Sequence, residues 1–167
     1  MNGVGRPLRN PQLTDFCVEL TGIRQAWVDE AEPFADVFAA ALGWLHEKLV
    51  DEARGASEAD GEVDGRALAE EQVLLCTCGD WDLKTMLPAQ CALIGEHVPA
   101  HFQRWANVKE VFRQHRGSKP GGMVEMLRAL GLDLVGRHHS GIDDTRNIAR
   151  ACVAFYDADE KRDEETD

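Results

Sequence analysis

Gly136–Ala149 reads GRHHSGIDDTRNIA, and this stretch decides the fold. A polar turn carrying His138 and His139 runs into Asp143 and Asp144, where a helical pattern begins. The helix is expected to start near Asp143 or Asp144. Ile148, Ala151, Cys152 and Phe155 recur at helical spacing and give it one inward face. Carboxylates suit a helix N-terminus, because its first N–H groups lack intrahelical partners and carry partial positive charge.

A second acid occupies a comparable place. Glu71–Cys78 (EQVLLCTC) is a short apolar run stopped by Gly79, as expected of a buried strand. The chain then turns through CTCGDWD, and Asp82 opens a helical stretch, DLKTML. Pro88 cannot continue that helix unbroken, so a break or restart is expected there. Capping alone accounts for Asp82 and Asp144. Together with His139 they also form a chemical set. His139 lies five residues before Asp144, an H-x-x-x-x-D pattern. A histidine there takes a proton from water near neutral pH. The carboxylates offer hard oxygen ligands that suit Mg²⁺ or Mn²⁺ rather than Zn²⁺. Two such ions about 4 Å apart are a common apparatus for phosphodiester cleavage.

The remaining elements alternate. Phe34, Val37, Phe38, Ala41 and Leu45 make one face of a helix over Pro33–Leu49. Asp51–Gly65 is acidic and aperiodic and reads as a surface loop. Trp105–Val108 reads as a short strand, followed by a helix over Lys109–His115. Ser118 is placed to cap GGMVEMLRAL, and Gly131 to stop it. Strands alternating with helices predict an α/β layered fold. The chain is read as a single domain over 1–156 with an acidic surface loop at 51–65 and a disordered acidic tail at 157–167.

Composition narrows the function. No apolar run reaches the length that spans a bilayer, and MNGVGRPLRNPQL lacks the apolar core of a secretory signal. An intracellular protein, cytoplasmic or nuclear, with no membrane partner is expected. The five cysteines read as buried free thiols; Cys76 and Cys78, spaced C-x-C with no matching pair, make a poor zinc site. The net charge of −12 looks wrong for a nucleic-acid binder, but it is concentrated. Residues 51–71 carry −6 and residues 157–167 carry −5, leaving −1 for the rest. Between Arg104 and Lys119 the balance is basic: Arg104, Lys109, Arg113, Arg116 and Lys119 against Glu110. The strip reads equally as a phosphate-facing surface or a solvated helix face.

NPQLTDFCVELTGI (Asn10–Ile23), GDWDLKTMLPAQC (Gly79–Cys91), RWANVKEVF (Arg104–Phe112) and GRHHSGIDDTRNIA resemble consecutive blocks of the Eri-type exoribonucleases. These are DEDDh members of the RNase H-like exonucleases, and the resemblance runs in order from about Arg6 to Phe155. It implies an α/β RNase H-like exonuclease fold, a mixed sheet flanked by helices. It also implies 3′–5′ hydrolysis of RNA with two Mg²⁺ or Mn²⁺ ions. Carried over, Asp82 and Asp144 are metal ligands and His139 is the general base. Asp80 is the rival to Asp82, while His138 and Asp143 are neighbours without such a role, Asp143 a cap. Thr21, Gly22 and Ile23 match the stretch against the 3′-terminal nucleotide; as residues alone they read as a turn before a helix. Trp81, Trp105 and Asn107 match family positions too, and core packing accounts equally well for the tryptophans.

The family's D-x-E acids normally precede the segment matching Arg6–Pro11, and the first acid here is Asp15. The fold is therefore expected to be N-terminally truncated, with half the carboxylate set absent. Three functions follow: a 3′–5′ exoribonuclease acting on RNA 3′ ends, a catalytically inactive RNA-binding or regulatory module, and a protein-interaction piece using the acidic loop and tail. Oligomeric state is left open.

Overall fold

The structure is a computed structural model that describes residues 5–56 and 73–164. Its elements in chain order are α1 (Asp15–Thr21), α2 (Gln25–Asp29), α3 (Phe34–Ala56), β1 (Leu75–Thr77), a π-helical turn (Asp82–Met86), α4 (Leu87–Leu93), a 3₁₀ turn (Ala100–Phe102), β2 (Trp105–Asn107), α5 (Val108–Arg116), α6 (Met123–Ala129) and α7 (Gly141–Glu164). The chain divides into two compact units. One is Met1–Leu74 with Pro88–Gln103, and the other is Leu75–Leu87 with Arg104–Asp167.

In the first unit, Thr14 caps α1 by accepting from the Cys17 N–H at 3.2 Å. Gly22 ends that helix at φ +75°, a left-handed conformation that glycine adopts without penalty. The expected amphipathic helix is α3. Phe34, Val37, Phe38 and Leu45 are half-buried, whereas Ala41 is exposed. Phe34 stacks on Phe38 with ring centroids 5.2 Å apart, and Phe38 meets Phe102 at 5.7 Å. The acidic stretch expected to be loop from Asp51 begins instead inside α3, which runs through Ala56. Extending a helix costs far less than nucleating one, and Glu52, Ala53 and Arg54 favour it. Residues 57–65 of that stretch lie outside the described residues.

The second unit holds the strands. β1 and β2 pair in parallel with Cys76 opposite Ala106. The expected buried strand is shorter than the apolar run. Only Thr77 is fully buried in it, and Cys76 is exposed. The thiols are accordingly not all buried: Cys91 is, Cys17, Cys78 and Cys152 are intermediate. The core forms where α5, α6 and α7 meet and consists of Val108, Phe112, Met123, Met126, Leu127, Ala151 and Phe155. Each large apolar side chain there stabilises the unit by about 1.5–3 kcal/mol.

Three expectations need correction here. α6 begins at Met123 after Gly122 with no side-chain cap, so Ser118 does not cap it. Glu125 serves that end by accepting from the Gly121 N–H at 2.9 Å. α7 begins two residues earlier than read, at Gly141. It also runs through Glu164, so the stretch read as a disordered tail is helical backbone for most of its length. Ala158, Glu160, Lys161 and Arg162 are good helix formers that continue a helix already nucleated. Gly131, at φ +73°, does follow the end of α6.

Candidate active site

Asp82, His139 and Asp144 all belong to the second unit. Asp82 is the first residue of the π turn, whose wide spacing closes with the Leu87 N–H on the Asp82 carbonyl. Pro88 has no N–H to give Lys84, and its ring would crowd that carbonyl in a regular helix. The π turn relieves this, so the break expected at Pro88 is taken up just before it. Single π turns recur at functional sites.

Asp80 and Asp82 part company. One Asp80 carboxylate oxygen accepts from the Trp105 indole N–H at 3.0 Å and the Asn107 amide at 3.2 Å. Asn107 in turn accepts from the N–H groups of Gly79 and Lys109, both at 3.1 Å, capping α5. Asp80 and Asn107 thus tie the turn after β1 to the end of β2. This fixes where the chain enters the π turn and leaves Asp82 exposed. Trp105 is half-buried and holds Asp80, whereas Trp81 is 65% exposed and is no core residue.

The turn before α7 is built by its own polar groups. The Asp143 carboxylate accepts from the Arg137 N–H at 3.0 Å and sits 3.5 Å from the Arg146 guanidinium. The Arg137 bond, followed by the Ser140 hydroxyl, holds that carboxyl below its ordinary range. Gly136 at φ +76° lets the chain pass: a Cβ there would lie 2.3 Å from the Asp143 carboxyl carbon. Asn147 is wholly buried and closes the turn from below. Its amide donates to the carbonyls of Val135 and Asp143, both at 2.8 Å, and its oxygen accepts from the Val135 N–H at 3.1 Å. Neither Gly136 nor Asn147 stood out in the sequence as a site residue. A signal existed for Asn147, which lies four residues before Ala151 on the inward stripe, where a polar side chain must have partners.

His139 sits on top of this turn. It is exposed at φ +69°, a strained conformation for a residue with a Cβ. Its N–H donates to Asp144 Oδ1 at 3.2 Å, so the spacing H-x-x-x-x-D closes a loop between base and acid. The His138 ring stacks on it at 3.9 Å. Burial pushes the Cys78 thiol up, Lys109 opposes this, and Asp144 and Asp82 both reinforce it.

Asp82 and Asp144 fit one Mg²⁺ or Mn²⁺ by donor chemistry, since such an ion is often held by one or two carboxylates plus substrate phosphate. Among the described residues, no group of three or more His, Cys, Asp or Glu is arranged to hold a metal ion. Thr21, Gly22 and Ile23 lie in the first unit. There the Thr21 hydroxyl donates to the Cys17 carbonyl at 2.7 Å and accepts from the Ile23 N–H at 3.1 Å. This is the turn before a helix, α2. The basic strip is partly neutralised internally: Glu110 pairs with Arg113 and, at 3.0 Å, with Lys119.

Residues 56–152 match the family model described as an exonuclease. The human ERI1 exoribonuclease 3 is 39% identical over 145 residues, 86% of this chain and 38% of the relative. The chain thus spans well under half the length of such curated relatives. Among solved structures, the nuclease domain of 3′hExo, a DEDDh family member bound to rAMP, superposes with a TM-score of 0.75 at 31% identity. That match covers 92% of this chain and 70% of the other. A 3′-exonuclease solved for its 3′-end recognition of a histone mRNA stem-loop gives a TM-score of 0.75 at 29% identity, over 92% and 62% of the two chains.

Proposed function

The chain belongs to the Eri-type DEDDh 3′–5′ exoribonucleases of RNase H-like fold, and from that premise we propose that its site serves hydrolysis of RNA from the 3′ end. The observation that carries this is the His139–Asp144 bond at the start of α7, with Asp82 exposed at the start of the π turn in the same unit. Asp82 and Asp144 would hold the divalent ion. When bound, it supplies activation of water and of the scissile phosphate. His139 takes the proton of the attacking water on its exposed imidazole, a contribution worth about 10²–10⁴ in rate. Asp144 holds the His139 backbone in place. Asp80, through Trp105 and Asn107, fixes the turn that carries Asp82. Trp81, exposed beside Asp82, suits stacking on an unpaired base.

In the family reading a second ion completes the site, and Thr21–Ile23 lie against the terminal nucleotide. The test is metal-dependent release of nucleoside 5′-monophosphates from 3′-labelled RNA. It compares this chain with a version carrying a D-x-E strand upstream. Release by the second protein, abolished by Asp82→Asn, supports the reading. No release by either sinks it.

A second reading is a catalytically inactive RNA-binding module. The lack of a three-ligand cluster among the described residues favours it. It predicts salt-dependent RNA binding with no cleavage by either protein.

A further inference from the structure

Two cysteines far apart in the chain meet where β1 packs on α7. Cys76 is the middle residue of β1, opposite Ala106 of β2. Cys152 lies on the inward stripe of α7 and packs against the helical core. Its thiol is hydrogen-bonded to that of Cys76. The two are unequal. Cys76 is exposed, whereas Cys152 is half-buried. Burial, and then the neighbouring Cys76 sulfur, push the Cys152 thiol up to about 11, so Cys152 keeps its proton and donates it to Cys76. The exposed sulfur is therefore the one placed to attack an oxidant, with a second thiol already in contact behind it.

The other cysteines are poorer partners. Cys17 and Cys91 belong to the first unit, and Cys91 is buried. Cys78 stands two residues beyond Cys76. Along an extended chain that spacing sets the Cα atoms about 6.6 Å apart, near the outer limit for a disulfide.

We infer that Cys76 and Cys152 are a redox pair, which a peroxide converts to a disulfide that staples β1 to α7. The step balances with hydrogen peroxide as the oxidant. The Cys76 sulfur attacks the O–O bond, which breaks to leave a sulfenic acid and release water. The Cys152 sulfur then attacks Cys76, the S–S bond forms, and a second water leaves. The two thiols give up two electrons and two protons, and the peroxide takes them. The ring closed by the disulfide contains Asp82, His139 and Asp144. It restricts the unfolded chain and so stabilises the unit that carries them. The pair stands whether or not the chain acts on RNA.

The test treats the reduced full chain with hydrogen peroxide, removes the oxidant, then unfolds, alkylates and weighs the protein. Alkylated cysteines fall from five to three, and digestion yields one peptide pair joined through Cys76 and Cys152. Dithiothreitol restores the full count. In Cys152→Ala, Cys76 stops at the sulfenic acid and is trapped by dimedone. In Cys76→Ser, Cys152 remains alkylatable after the same exposure. The oxidised parent melts at a higher temperature than the reduced one, and neither variant shows that shift. An unchanged count, a bond from Cys76 to Cys78, or a dimer linked through Cys76 overturns the inference. So does equal formation of the Cys76–Cys152 bond when the oxidation is run in guanidinium, because the folded contact would then select nothing. Each of these results leaves the proposed action on RNA standing.

Discussion

Asn147, wholly buried in α7, satisfies both the N–H and the C=O of Val135, two residues before the turn that carries His139. One amide side chain therefore holds the start of the turn, while Asp143 and Asp144 hold its middle through Arg137 and His139.

Replacing Asn147 by Ala leaves the Val135 N–H and C=O without this partner beneath the turn. We expect a loss of about 1–2 kcal/mol in chemical denaturation, because Val135 is exposed enough for water to replace part of the lost bonds, each worth about 0.5–1.5 kcal/mol. Asn147→Asp should recover little, since it keeps the acceptor for Val135 but loses the donated bonds. Unchanged stability in Asn147→Ala would show that the turn does not depend on this clamp.

Gly136→Ala places a methyl group against the Asp143 carboxylate at a positive φ. The backbone conformation alone costs about 1–2 kcal/mol, and the clash adds to it. Combining the change with Asp143→Gly removes the clash but not the strain. A double-mutant cycle by denaturant melts should then show the pair less destabilised than the sum of the singles. Simple additivity would refute the contact.

Asp80 and Asp82 are two residues apart and should answer differently. Asp82→Asn should leave thermal stability nearly unchanged and weaken Mn²⁺ binding, measured by calorimetry, on the order of tenfold or more. Asp80→Ala should cost about 1 kcal/mol by losing the bonds from Trp105 and Asn107. Asp80→Asn, which keeps an acceptor oxygen, should be milder. If Asp80→Asn abolishes ion binding and Asp82→Asn does not, the two roles are reversed.

Glu110 is held below its ordinary range first by Lys119 and then by Arg113. A depressed carboxyl stabilises the fold above its unfolded pKa, and that contribution is lost as pH falls through the folded value. Glu110→Gln should therefore differ from the parent at pH 7 and converge with it in acid. It also releases two cations. If the strip meets phosphates, the salt dependence of RNA binding steepens by up to about 1.4 in log–log slope. An unchanged slope would make the strip a solvated face.

What the sequence determined by itself was local chemistry. The helix over Phe34–Leu45, the strand near Trp105 and the α7 stripe of Ile148, Ala151, Cys152 and Phe155 were legible, and the residues offered Asp82, His139 and Asp144 as a candidate set. Periodicity and helix-end electrostatics depend on neighbours in the chain. Tertiary structure decided which of two nearby acids is free. Asp80 is claimed by Trp105 and Asn107, some 25 residues away in sequence, and only strand pairing brings them there. It also revealed Asn147 as a clamp and Gly136 as a necessity, because both depend on how closely the turn folds back on its own helix. Where the helices end was likewise not legible. α3 and α7 run on through acidic sequence because a helix already anchored by packing extends cheaply into residues that would not start one.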